Sequence, residues 1–136
     1  MAKLDEVIQG ILRDVDGALG CAVVDLSSGL LLAVAHNVPY FTQSYIEAVA
    51  AAAVDMLRGK NVLAVEALLS SQRGRKIENS IKEIQMATDH TYHFMATVPE
   101  KPNSLVVLIT NRKTNLGMGW SAVRINLPRI APFCPS

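Results

Sequence analysis

Three short stretches carry residue types whose spacing is suited to chemistry. The run 117-GMGWSA-122 fits G-x-G-x-x-A, the pattern of loops that hold a dinucleotide pyrophosphate against a helix N-terminus. His90 and His93 share the H-x-x-H spacing of some zinc sites. Arg73, Arg75 and Lys76 gather positive charge in a Ser/Gly-rich segment, as nucleic-acid-binding loops do.

None of the three has the companions its chemistry needs. The six residues 111-NRKTNL-116 separate the preceding apolar run from Gly117, where a dinucleotide loop requires a tight turn. No Asp or Glu follows Gly117 to bind a ribose, so these glycines are read as sites where a helix packs closely on a sheet. Side chains three apart on a strand point to opposite faces, which parts His90 from His93. The basic run lacks stacking aromatics and reads as a solvated loop, with docking to an acidic partner left open.

Nucleophiles fare no better. Ser27 and Ser28 sit in a turn, Ser44 precedes a helix, and neither Cys21 nor Cys134 has an evident base beside it in sequence. No P-loop signature is present. The reading is of a protein that is not an enzyme, with no catalytic residue, cofactor or metal.

Composition points the same way. The 136 residues suit one domain spanning 1–136, half of them hydrophobic, 18% charged and only 5% aromatic. The net charge of +1 gives no electrostatic case for nucleic acid or an anionic membrane surface. The N-terminus has no signal-peptide pattern and no apolar stretch is long enough to span a bilayer, so a cytoplasmic location is expected, with no membrane insertion. Cys21 is read as a small buried hydrophobe and Cys134, in a Pro-flanked tail, as exposed, with no disulfide between them.

These residues must be positioned by a small set of elements. Leu4, Val7, Ile8, Ile11 and Leu12 recur at helical spacing. Residues 18–25 and 30–35 form a hairpin about the turn Ser27, Ser28 and Gly29. Ser44 and Glu47 match a capping box before 45-YIEAVAAAAVDMLR-58, with Gly59 at its C′ position. Its stripe of Ile46, Val49, Ala50, Ala53, Val54 and Leu57 is slim enough for close approach by a partner helix or sheet. Those positions suit an intrachain core and an interface equally.

The segment Val62 to Leu69 fits a strand or a helix, and 70-SSQRGRK-76 reads as an exposed loop. Residues 80–87 and 91–98 make a second hairpin, and the near-continuously apolar 104-SLVVLITN-111 suits a central strand. Asn115 caps a last helix to about Asn126, which Pro128 and Pro132 should end. The order α-β-β-α-β-β-β-α gives an α+β domain with one five-stranded antiparallel sheet flanked by helices.

The initial helix, the first hairpin and 105-LVVLITNRKTNLGMGWSAVRINLP-128 together resemble the roadblock family of dynein-light-chain-related proteins, as a bacterial-type single-domain member. Gly20, Val23, Asp25, Gly29, Leu32 and Ala33 stand in the family's hairpin pattern, with one extra residue in the turn. Asn115, Leu116 and Gly117 match the "N-L-G" that opens its closing helix. The middle, 61-NVLAVEALLSSQRGRKIENS-80, departs from the family's usual link.

The resemblance implies a roadblock/profilin-like fold and a non-catalytic homodimer that pairs through its central helix and an edge strand. Ile46, Val49, Ala50, Ala53, Val54, Leu57 and Ile84 are then interface candidates. It also implies a scaffold or regulatory role toward a small Ras-like GTPase. Arg73 and Arg75 would be candidates for an arginine supplied in trans. An alternative is a small-molecule-binding sensory domain of profilin-like architecture, which would need a lined cavity.

Overall fold

The structure is a computed structural model that describes residues 3–135; residues 1, 2 and 136 of the expected 1–136 domain lie outside them. Its elements are α1 (Leu4–Asp14), β1 (Ala18–Asp25), β2 (Leu31–His36), α2 (Gln43–Arg58), α3 (Lys60–Arg73), β3 (Glu83–Ala87), β4 (Thr91–Val98), β5 (Lys101–Asn111) and α4 (Leu116–Ile130). A 3-10 turn, Ala131–Phe133, comes after α4. The five strands form one antiparallel sheet in the order β2-β1-β5-β4-β3.

Alternation along the strands splits the apolar residues between two faces. One face buries Cys21, Val23, Ala33, Phe94, Ala96, Val106 and Leu108 beneath α1 and α4. The other buries Val24, Met95, Leu105, Val107 and Ile109 beneath α2. Strand β5 is central and buried on both faces from Ser104 to Thr110, as its continuous apolar run requires. The sheet and the first hairpin thus match the expected α+β class, while the expected order α-β-β-α-β-β-β-α gains one helix, α3, between α2 and β3. The hairpin turn is held by Asp25, whose Oδ1 accepts from Ser27 N at 3.0 Å and Ser27 Oγ at 2.7 Å, while Gly29 takes the left-handed conformation at φ 76°.

Four local expectations change. The cap of α2 is Thr42, not Ser44: its Oγ1 accepts from Tyr45 N at 3.2 Å, and Glu47 instead pairs with Gln43 one turn earlier in the helix. Gly59 is extended at φ −66°, so it is not a left-handed cap; it is the hinge on which α2 ends and α3 begins. Val62 to Leu69 is helical, and α3 continues through Ser70, Ser71 and Gln72. The exposed loop therefore starts only at Gly74, itself left-handed at φ 67°. Pro128 does not stop α4, because the last turn is anchored by the buried Leu127 and Ile130 on either side of it.

Cys134 is also buried rather than exposed, its Sγ donating to Ile130 O at 3.5 Å, and both cysteines are free thiols.

Candidate interaction surface

The segment that departs from the family pattern builds the most distinctive surface of the chain. Helix α3 packs on α2 and leaves Leu63, Val65 and Leu68 more than half exposed. The one α3 residue that is buried is charged: Glu66, at 4% exposure. Its Oε2 accepts from Ser80 N at 2.8 Å and from Ser80 Oγ at 2.6 Å. Those two bonds, foremost the hydroxyl's, hold the Glu66 carboxyl below the ordinary carboxylate range, with Arg58 and Lys82 adding smaller attraction.

A second tie parallels the first. Ser70 Oγ donates to Glu66 O at 2.8 Å and accepts from Ile77 N at 2.7 Å. Together these bonds fold residues 74–82 back along α3 and deliver β3 to the sheet edge. At the far end of α2, Arg58 Nη1 donates to Asn103 Oδ1 at 2.9 Å and Nη2 donates to Pro102 O, fixing α2 to the start of β5.

Strand β3 is tied down from the opposite face by α4. Arg124 donates to both carboxylate oxygens of Glu83, at 2.9 and 2.7 Å, and its guanidinium lies 4.9 Å from the Trp120 ring centre. Trp120 Nε1 donates to Gln85 Oε1 at 2.7 Å, and the ring meets Phe94 edge-on. The helix comes this close because of Gly119, where a Cβ would lie 2.5 Å from Phe94 Cζ. The packing role read for the glycines therefore belongs to Gly119, while Gly117 is exposed.

The interface candidates divide by environment. Ile46, Ala50, Ala53 and Leu57 are buried against the chain's own sheet, Ala50 and Ala53 completely. Val49, Val54 and Ile84 are only partly covered. The outward face of α2 is carried by Ala48, Ala51 and Ala52, small residues that the apolar stripe does not single out. The run from Ala50 to Ala53 conceals Ala51 and Ala52, since composition alone cannot say which of its four alanines faces out. At one border of the sheet lies β3, whose far edge pairs with no other strand among the described residues.

The residues first considered for chemistry do not converge. His90 lies in the exposed β3–β4 turn, while His93 is buried within β4. Burial lowers the His93 pKa; its Nε2 is 3.1 Å from Thr91 Oγ1, and its buried Nδ1 has no partner. Arg73 and Arg75 are exposed on either side of Gly74. Among the described residues no three His, Cys, Asp or Glu side chains are placed to hold a metal ion, and no helix is long and apolar enough to cross a membrane. The apolar cavity between α2 and the first hairpin measures about 20 Å³, room for roughly one water.

No family model and no curated protein matches the sequence. Solved structures do match, over nearly the whole chain. A Roadblock/LC7 domain from Streptomyces avermitilis is 15% identical, covers 97% of this chain and 98% of its own, and superposes with a TM-score of 0.71. Myxococcus xanthus MglB is 16% identical, with 98% and 96% covered and a TM-score of 0.70. An MglB with a tetrameric arrangement is 17% identical, with 96% and 87% covered and a TM-score of 0.72. The first hairpin, the central β5 and the closing α4 that carried the resemblance in the sequence thus belong to a chain with the Roadblock/LC7 fold.

Proposed function

We propose that this chain is a non-catalytic regulatory scaffold that works as a homodimer and docks a small Ras-like GTPase. The observation that carries the reading is the coincidence of an unpaired β3 edge with a helix face of Ala48, Ala51 and Ala52. Two copies related by a two-fold axis would pair the β3 edges and let the α2 helices approach closely, covering Val49, Val54 and Ile84. The exposed Leu63, Val65 and Leu68 of α3 would border that contact. Solved structures of this fold include an MglB in a tetrameric arrangement, which supports assembly as the working state. The GTPase partner comes from the family resemblance.

Light scattering on a sizing column tests the dimer. The wild type should elute near twice its 14.7 kDa mass, and Ala52→Glu near 14.7 kDa with unchanged circular dichroism. Ala52 is the informative site because it is exposed, whereas Ala50 is sealed in the core and a charge there would unfold the chain. A wild-type monomer at tens of micromolar would defeat the homodimer. Binding to Ras-like GTPases loaded with a non-hydrolysable nucleotide tests the partner, and hydrolysis rates for Arg73→Ala and Arg75→Ala test an arginine contribution.

A further inference from the structure

The opposite edge of the sheet, β2, has a different character from β3. Its sequence, LLAVAH, holds no Lys, Glu or Pro, the residues that usually blunt a free edge. Asn37 N donates to Leu19 O at 3.1 Å, so in this antiparallel register Cys21–Ala35 and Val23–Ala33 exchange the ladder bonds. The N–H and C=O groups of Val34 and His36 therefore point away from β1, toward the open edge.

Alongside that edge runs a narrow apolar seam with room for roughly one water. Val34 and Leu31 form one wall and Tyr45 and Val49 of α2 the other. Phe41 lies over Gly20 so closely that a Cβ there would be 2.7 Å from its ring. Leu30 at 67% and Tyr40 at 62% exposure extend the apolar surface at the two ends. At the hairpin tip an open cleft is lined by Gly29, Leu30, Leu31, Gln43 and Glu47.

The segment that supplies this edge is acidic. Residues 14–57, which supply β1, β2 and nearly all of α2, contain five acidic residues and no Lys or Arg. The stretch 58–136 carries eleven Lys and Arg against five Asp and Glu. Near-neutrality of the whole chain thus hides an acidic segment. Glu47 lines the cleft at the hairpin tip, and Asp25, held ionised foremost by its bond from Ser27, anchors the turn beside it.

We propose that the β2 edge binds an extended segment of a partner protein, apolar at alternate residues and flanked by Lys or Arg. The segment adds a sixth strand through Val34 and His36, its apolar side chains pack on the exposed Leu30, Val34 and Tyr45 at the rim of the seam, and its cations meet Glu47 and Asp25. This site lies at the sheet edge opposite β3, and Val49 of α2 borders both it and the proposed dimer contact.

The test selects a random twelve-residue phage-displayed peptide library on the immobilised full chain, then measures the strongest peptide by fluorescence anisotropy. Selected peptides should alternate apolar residues and carry Lys or Arg at their ends. Val34→Pro should weaken binding at least tenfold, since it removes an outward N–H and breaks no ladder bond. Glu47→Lys should weaken it at least fivefold, and Val34→Lys supplies the edge test should the proline variant not fold. No enrichment, enrichment without basic residues, or binding indifferent to these substitutions would overturn the proposal. Self-association of the wild type that Val34→Pro or Val34→Lys abolishes would assign the edge to a second copy and overturn it too.

Discussion

Glu66 and Ser80, fourteen residues apart, meet through a single carboxylate oxygen that accepts both the backbone N–H and the hydroxyl of the serine. This clasp sets where α3 ends its influence and where β3 begins. Removing the hydroxyl, Ser80→Ala, should cost about 1–2 kcal/mol in urea unfolding at pH 7, and Glu66→Ala more, because it frees two donors at once. Because the folded pKa is lowered, the contribution is whole above the unpaired value of 4.5 and is lost as pH falls through the folded value. The two variants should therefore converge with wild type in acid.

His93 gives a second pH dependence at a higher window. It is an imidazole among apolar neighbours, opposite Met86 on β3 and Ile109 on β5, with Thr91 Oγ1 as its one side-chain partner. Burial lowers its pKa from 6.5, so the unfolded chain binds the extra proton first. Stability should therefore fall as pH drops below about 6.5 and level off under the folded value, by no more than about 1.4 kcal/mol per pH unit. Urea midpoints at pH 7.5 and 5.5 should lose this component in His93→Leu.

Two glycines in helices separate space from propensity. Gly119→Ala puts a methyl against Phe94 and should destabilise by about 1–3 kcal/mol, with loss of the native Trp120 emission as α4 lifts. Gly10→Ala meets only Arg13 Nη2 at 3.5 Å in α1 and should stabilise by about 0.5–1 kcal/mol. Thermal melts of the pair should move in opposite directions.

The thiols offer a check on burial. Desolvation pushes Cys21 up to about 12, and Cys134 is enclosed by the same cluster. Neither should react with an aromatic disulfide reagent in minutes at pH 8, and both should react at once in 6 M guanidinium. Fast labelling of Cys134 alone would mean that the turn after α4 opens locally.

Much of this architecture is legible in the sequence, and the parts that are not have physical causes. The strands are readable because β1 and β5 alternate or run apolar in ways only a covered sheet tolerates. The Glu66 region is opaque because α3 buries a carboxylate and exposes Leu63, Val65 and Leu68, an inverted pattern that periodicity reads as neither helix nor strand. Pro128 misleads because chain chemistry forbids one hydrogen bond, whereas packing of Ile130 decides whether the helix survives its loss. The stripe rule finds Ile46, Ala50, Ala53 and Leu57, which α2 turns inward, and says nothing of the exposed Ala48, Ala51 and Ala52.

The strand order β2-β1-β5-β4-β3 bears on how the chain acquires its shape. Strand β1 is joined in register to β5, so Val23 must wait for Val106, some eighty residues of synthesis later. At ribosomal rates of about 5–20 residues per second, the first hairpin emerges seconds before its partner exists. During that interval the nascent segment shows apolar strands on both borders. Sheet closure by β5 is then the committing event of folding, and a chaperone would be needed earliest at the hairpin, not at the helices.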